Sequence, residues 1–127
     1  MAALLPLIER RWSRVVAVLL GLALGAGGAT KLASQSTQVT HFIGWGLPHW
    51  FLMLVGTFEV IGGVLLALPA SRPVGSLILG TIMVGALWTH VAHAEWVETA
   101  PVVLVFVLLM AIFRSTRARA IRLLGGA

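Results

Sequence analysis

Four apolar stretches, each long enough to cross a membrane, divide the chain at about residues 15–33, 50–68, 74–91 and 97–113. A helix needs about 20 apolar residues to cross the ~30 Å hydrocarbon core of a bilayer. The composition agrees, because 59% of the 127 residues are hydrophobic and 10% are charged, whereas soluble domains carry about 25% charged residues. We therefore predict a single all-α domain over residues 1–127, an integral membrane four-helix bundle with no soluble catalytic lobe.

The arginines all lie on one side of this pattern. They precede the first stretch, separate the second from the third, and follow the fourth: Arg10, Arg11, Arg14, Arg72, Arg114, Arg117, Arg119 and Arg122. Cytoplasmic loops carry the excess of Lys and Arg. We therefore expect a multi-pass membrane protein with both termini cytoplasmic and a basic tail at 114–127. The net charge of +5 flanks the spans, which favours a lipid bilayer over nucleic acid as the partner.

The connections between the spans carry turn and cap signals. The first outer connection, 34–49, is polar in its first half and apolar in its second, which predicts a short amphipathic segment at the membrane interface before a turn at 46–48. Ser71 is a candidate helix N-cap with Pro73 in the first turn. Thr99 and Pro101 suggest the same arrangement at the start of the fourth span.

Two stripes of small residues predict where helices pack closely. Such stripes let a neighbouring helix approach. They lie in the first and third spans: Gly21, Gly25, Ala29, Thr81, Gly85 and Thr89.

Glu59 lies near the middle of the second span and is the most informative single residue. A charged group at the bilayer centre costs about 2.5–3.5 kcal/mol on insertion scales, so it normally faces the protein interior and is paired. Gly56 and Gly63 share its helical face at i−3 and i+4. This face suits either close helix packing or a small bound molecule.

Lys31 is the only lysine and lies near the outer end of the first span. We expect its ammonium group to reach the outer head groups, because long charged side chains extend towards water. An ion pair with Glu59 is the alternative. Such a pair would either lock the helices together or form part of a ligand site, and the sequence favours neither role.

The histidines are expected on the outer side and have several possible roles. His90 and His93 are weak candidates for metal ligands, and interfacial hydrogen bonding is the default interpretation. We therefore predict no metal site. The absence of cysteine excludes thiolate metal sites, Fe–S clusters and Cys nucleophiles within this sequence. We predict no catalytic residues and no cofactor belonging to the chain itself.

The order of several motifs resembles the DoxX-like family of small bacterial membrane proteins. The motifs, taken in chain order between about residues 21 and 93, are Gly28–Lys31, His41-Phe42, Gly46-Leu47-Pro48, Gly56-x-x-Glu59, Leu65-Leu66, Pro69, Arg72 and Met83-x-Gly85-Ala86-x-x-Thr89-His90. The resemblance implies four transmembrane helices and a location in the bacterial cytoplasmic (inner) membrane. The family takes its name from a subunit associated with an archaeal terminal quinol oxidase and thiosulfate:quinone oxidoreductase, so the resemblance raises a quinone-linked role and points to Lys31, Glu59 and His90.

We predict an accessory subunit of a membrane complex that is non-catalytic by itself. The resemblance suggests that this complex is quinone-linked and respiratory. Its partners would be other membrane subunits or further copies of the chain. The first alternative is a protein that binds a quinone or lipid at a buried site, whose candidate residues are Lys31, Gly56, Glu59, Gly63, Met83 and His90. The second is an oligomeric transporter of protons or small solutes that uses Glu59.

Overall fold

The computed structural model describes residues 5–125 and, among them, the side chains of residues 10–118, 121, 122 and 125. It contains five helices and no strand in these residues: α1 Leu5–Leu32, α2 Ser36–Gly44, α3 His49–Ala67, α4 Arg72–Ala92 and α5 Trp96–Leu124. All but α2 contain a segment long and apolar enough to span a membrane: Arg10–Leu32, His49–Ala67, Arg72–Ala92 and Trp96–Ala118. The all-α prediction with four apolar spans is confirmed for the described residues.

The helices extend beyond the predicted spans at both ends of the chain. α1 begins at Leu5 and α5 continues to Leu124, so most of the predicted basic tail is helical. The prediction that Thr99 and Pro101 begin the fourth span is wrong. α5 begins at Trp96, the Thr99 hydroxyl donates to the Glu95 carbonyl, and Pro101 lies inside the helix. A hydroxyl residue followed by proline is compatible with a helix cap, but here the Thr99 hydroxyl bonds back to a carbonyl one turn earlier and the helix has already begun.

α1, α2 and α4 end in the same backbone motif. In each, the second residue after the helix has a positive φ: Ser34 at 53°, Gly46 at 75° and Ala94 at 55°. The amide after each of these residues donates back to the third-last residue of its helix, as Glu95 N–H does to the His90 carbonyl at 2.8 Å. This is the Schellman arrangement, which usually has glycine at the left-handed position. Serine and alanine occupy that position in α1 and α4.

α1 and α3 pack antiparallel through pairs of glycines. A Cβ added at Gly21 would lie 2.6 Å from the Gly63 carbonyl oxygen, and one added at Gly28 would lie 2.6 Å from the Gly56 carbonyl oxygen. The two pairs are separated by two helical turns on both helices. Hydrogen side chains at these four positions let the backbones touch, and this contact sets the register between α1 and α3.

α3 and α4 form a hairpin that Arg72 closes. The Arg72 guanidinium donates to the Leu66 and Ala67 carbonyls, each at 2.8 Å, and the residue is 6% exposed. These carbonyls belong to the end of α3, where no intrahelical donor reaches them. Ser71 precedes α4 as predicted, but its hydroxyl donates to the Leu65 carbonyl instead of capping α4. Pro73 lies in the first turn of α4, as predicted.

The apolar core lies in the half of the bundle that is farther from α2. Every long helix contributes to it, through the buried residues Ala17, Leu66, Leu79, Met83, Leu109 and Ile112. Many large apolar side chains on the outer faces of the helices are exposed, as expected for surfaces that contact lipid. In the half of the bundle nearer α2, the space between the helices is not filled by side chains.

Candidate binding cavity and its ion pair

A cavity of about 750 Å³ occupies the half of the molecule nearest α2. All five helices contribute to its wall, which is mostly apolar. Small residues explain the open space, because Ala23 and Gly27 on α1 and Gly85 and Ala86 on α4 line it. An added Cβ at Gly85 would meet no heavy atom within 4 Å. The volume lies in the range of ligand sites for small molecules, about 300–1,000 Å³.

An ion pair between Lys31 and Glu59 lines this cavity. The Lys31 Nζ atom lies 3.1 Å from both Glu59 carboxylate oxygens. The Lys31 side chain is 13% exposed and that of Glu59 is 6% exposed. The expectation that Lys31 extends to the head groups is therefore wrong in this structure, and the ion pair is what forms.

The antiparallel packing of α1 and α3 explains how two residues at different depths meet. Side chains on a helix tilt towards its N-terminus. Lys31 lies in the last turn of α1 and tilts back into the molecule, while Glu59 on α3 tilts towards α2. The two side chains therefore converge near Gly27, where an added Cβ would lie 3.4 Å from a Glu59 oxygen. The absence of a side chain at Gly27 leaves room for the carboxylate.

α2 covers the end of the cavity. Its residues Gln38, His41 and Phe42, together with Trp45 just beyond its end, line the cavity wall. The Gln38 amide donates to the Thr30 hydroxyl at 3.1 Å. Phe42 is 6% exposed and contacts Phe51 of α3 with ring centroids 6.4 Å apart. These contacts hold α2 against the ends of α1 and α3.

Trp45 connects this cover to the opposite wall. Its indole Nε1–H donates to the Glu95 carboxylate at 2.9 Å, and the same oxygen lies 3.2 Å from His90 Nδ1. The Trp45 ring meets the His90 ring edge-on, with centroids 5.4 Å apart, and lies 6.5 Å from His93. The Trp45 ring also stacks on the His41 ring, with centroids 5.7 Å apart.

The pKa of Glu95 lies below its ordinary value of 4.5. Desolvation acts to raise this pKa, but the combined effect of the hydrogen bonds from Trp45 and His90 and of the nearby His90 and His93 rings lowers it. Donors to a carboxylate favour its charged form. The Trp45–Glu95 contact is therefore a hydrogen bond to a charged acceptor at neutral pH.

The predicted ligand residues divide between the cavity and the helix contacts. Lys31, Glu59, Met83 and His90 line the cavity. Gly56 and Gly63 instead lie in the contact between α1 and α3. The close-packing alternative for their shared face is therefore what the structure shows, while the role of the cavity residues in binding stays a prediction.

The two small-residue stripes also differ. Gly21 and Gly25 of α1 lie against Gly63 of α3, whereas Ala29 is exposed. On α4, the stripe formed by Thr81, Gly85 and Thr89 lines the cavity. A Cβ added at Gly85 would meet no other helix of this chain within 4 Å. The two threonine hydroxyls donate to carbonyls of their own helix at 2.8 Å. Packing of this stripe against another chain stays a prediction.

No group of three or more His, Cys, Asp or Glu side chains is placed to hold a metal ion in the described part of the chain. His93 Nδ1 lies 2.8 Å from the Thr89 carbonyl, and His90 Nδ1 faces Glu95. Both weak candidates therefore have a ring nitrogen engaged in local hydrogen bonding.

Sequence reasoning missed Trp45 and Glu95 as a pair. Trp45 lies in the first predicted outer connection and Glu95 lies between the third and fourth apolar stretches, so that 50 positions separate them along the chain. No periodic pattern signals such a contact, because it depends on how α2 folds over the end of α4. The clustering of His, Trp and Glu at the predicted outer ends was the available signal.

A model of the DoxX-like family matches residues 15–113, which contain the second and third apolar segments and most of the first and fourth. Comparison with curated proteins and with solved structures finds no match. The matched region contains the Lys31–Glu59 pair, the α2 cover and the Trp45–Glu95 contact. The chain is a multi-pass membrane protein that belongs to the DoxX-like family.

Proposed function

We propose that this protein binds a small amphiphile in the cavity, with its polar head at the Lys31–Glu59 pair and its apolar part along the wall. The observation that carries the proposal is a largely buried ion pair that lines a mostly apolar cavity of about 750 Å³. A few polar groups in an apolar pocket are typical of small-molecule sites. A polar residue inside a membrane segment is also a functional candidate by default.

Charge balance favours a neutral head group. The Lys31 ammonium is already neutralised by the Glu59 carboxylate at 3.1 Å. An anionic head would lie close to that carboxylate, and burying an uncompensated charge is costly. A lysine ammonium has three donors, and two carboxylate oxygens contact it here. One donor can therefore serve a carbonyl oxygen, such as that of a quinone or an ester lipid.

The mouth of the cavity supports uptake from the membrane. Thr81, Gly85 and Trp88 of α4 are exposed and also line the cavity. Trp88 is 77% exposed. These residues lie within an apolar candidate span, so the apolar part of a ligand would leave the cavity towards acyl chains.

Binding of a benzoquinone with a decyl tail, followed by quenching of tryptophan fluorescence in mild detergent, tests this function. We expect saturable quenching, because Trp45 and Trp88 line the cavity. Gly85→Leu should abolish the saturable component by filling open space, and it should not impair folding because no atom lies within 4 Å of the added Cβ. Val84→Leu, on the exposed face of the same helix and 53% exposed, is the matched control.

Two outcomes count against the proposal. Equal quenching in wild type, Gly85→Leu and Val84→Leu would place the quinone in the micelle and not in the cavity. Competition by oleate but not by a neutral diacylglycerol would contradict the neutral head group while keeping the cavity as a binding site.

The accessory-subunit role, with its quinone-linked respiratory version, is our second proposal. It is supported by the open stripe on α4, where Gly85 has room for a neighbouring helix and small residues favour close approach. Native mass spectrometry after release in mild detergent tests it. A copurifying membrane subunit that Gly85→Leu displaces would support the role, and a chain that remains alone would contradict it.

A further inference from the structure

We propose that α2 is a hinged lid, latched by the contact between Trp45 and Glu95, which separates the Lys31–Glu59 pair from water at the α2 end of the molecule. This inference concerns access to the cavity and rests on the proposed function only for its purpose. The lid is defined as residues 36–45.

The first observation is the position of the lid between two backbone turns. Ser34 and Gly46 flank it and both have left-handed φ values, 53° and 75°. Each of these residues belongs to the turn that ends a helix, Ser34 after α1 and Gly46 after α2, so neither helix continues into its neighbour. Hinges consist of a few such residues at the ends of elements.

The second observation is the asymmetry of the contacts that the lid makes. Phe42 and Gln38 join it to the edge formed by α1 and α3, through Phe51 and Thr30. On the opposite side of the cavity, Trp45 donates a hydrogen bond to Glu95 and contacts the rings of His90 and His93. Rotation about the α1 and α3 edge would therefore break the Trp45 contacts and keep those of Phe42.

The third observation is what lies beneath the lid. Gln38, His41, Phe42 and Trp45 line the same cavity as Lys31 and Glu59. With the lid closed, the ion pair is 13% and 6% exposed. The lateral mouth at α4 opens into an apolar segment, so lipid reaches the cavity by one route and water would reach it by the other.

The absence of cysteine makes a direct test possible. Val55→Cys places a thiol in the cavity wall, and a positively charged, membrane-impermeant methanethiosulfonate reagent reports its access from water. We expect Trp45→Phe, which keeps an aromatic ring but removes the N–H donor, to raise the modification rate about tenfold, because a hydrogen bond to a charged group is lost. Glu95→Ala should raise it similarly, and Glu95→Gln should raise it less because an acceptor oxygen remains.

Two controls separate lid opening from unfolding. Ala17→Cys, fully buried in the core away from α2, should stay unreactive in every background. Trp96→Phe removes an exposed tryptophan next to Glu95 and should leave the rate at Val55→Cys unchanged. If Trp45→Phe exposes the thiol at position 17, that variant has unfolded and the Glu95 variants carry the comparison.

Unchanged labelling at position 55 in the Trp45→Phe and Glu95→Ala backgrounds would overturn the lid. This result would leave the proposed ligand site intact, because quinone quenching and its block by Gly85→Leu do not depend on water access. Conversely, faster labelling without saturable quinone binding would establish the lid and contradict the proposed function.

Discussion

Lys31 and Glu59 meet across the contact between α1 and α3, with the Lys31 Nζ atom 3.1 Å from both carboxylate oxygens. The pairs Gly21–Gly63 and Gly28–Gly56 bring the two helices close enough for this contact. The ion pair and the glycine contact therefore form one unit, in which the small residues position the charged ones.

Removing one partner of the ion pair should destabilise the protein more than removing both. We expect Lys31→Met or Glu59→Gln alone to cost up to about 3–5 kcal/mol, because a buried polar partner loses its counterpart. The double variant should recover part of this loss. Unfolding in a denaturing detergent titrated into mixed micelles measures the cycle, and additive losses would show that the pair has no coupling energy.

Gly28→Ala should destabilise the α1–α3 contact by about 1–3 kcal/mol, as overpacking does. The added Cβ would lie 2.6 Å from the Gly56 carbonyl oxygen and 2.8 Å from the Glu59 Cβ atom. Gly25→Ala on the same helix is the matched control, since its Cβ would meet nothing within 4 Å. The two thermal unfolding midpoints should differ clearly, and equal values would contradict the described packing.

Arg72→Lys should destabilise the hairpin of α3 and α4 by about 1–3 kcal/mol. The planar guanidinium donates to two successive carbonyls, and an ammonium cannot reproduce this fork geometry. Arg114→Lys, at an exposed position, should have little effect. Urea or detergent denaturation of both variants provides the comparison, and equal stability would argue against the cap.

Ala94→Gly should stabilise the protein by about 1 kcal/mol. Ala94 has a φ of 55°, a left-handed conformation that is unfavourable for residues with a Cβ and that glycine adopts freely. Ala92→Gly, at the end of α4, should instead destabilise slightly because glycine weakens a helix. Opposite shifts in the unfolding midpoint are expected, and a loss of stability in Ala94→Gly would contradict the turn.

The Trp45–Glu95 contact should weaken in acid. The pKa of Glu95 is lowered from 4.5 in the folded protein, so its stabilising contribution is present above 4.5 and is lost as the pH falls through the folded pKa. His90 and His93 from α4 face the same region as Trp45, which His41 flanks. The stability difference between wild type and Glu95→Gln should therefore be largest above the ordinary pKa of 4.5 and shrink as the pH falls below it, and a constant difference would contradict this origin.

The residue pattern alone predicted the four apolar spans, a short amphipathic segment after the first span and the family, because hydropathy, turn signals and the order of motifs can all be read along the chain. It also identified Glu59 and Lys31, since buried charge is costly wherever the helix lies. Termini orientation stays a prediction from the arginine distribution.

Which polar residues meet depends on how the helices pack in three dimensions. Lys31 pairs with Glu59 because the antiparallel register tilts both side chains towards one another, and this register depends on glycine contacts between distant segments. The stripe at Thr81 and Gly85 lines a cavity instead of packing against another helix of the chain. Trp45 reaches Glu95 only after α2 folds across the helix ends. Such contacts depend on packing over long separations, which local patterns do not encode.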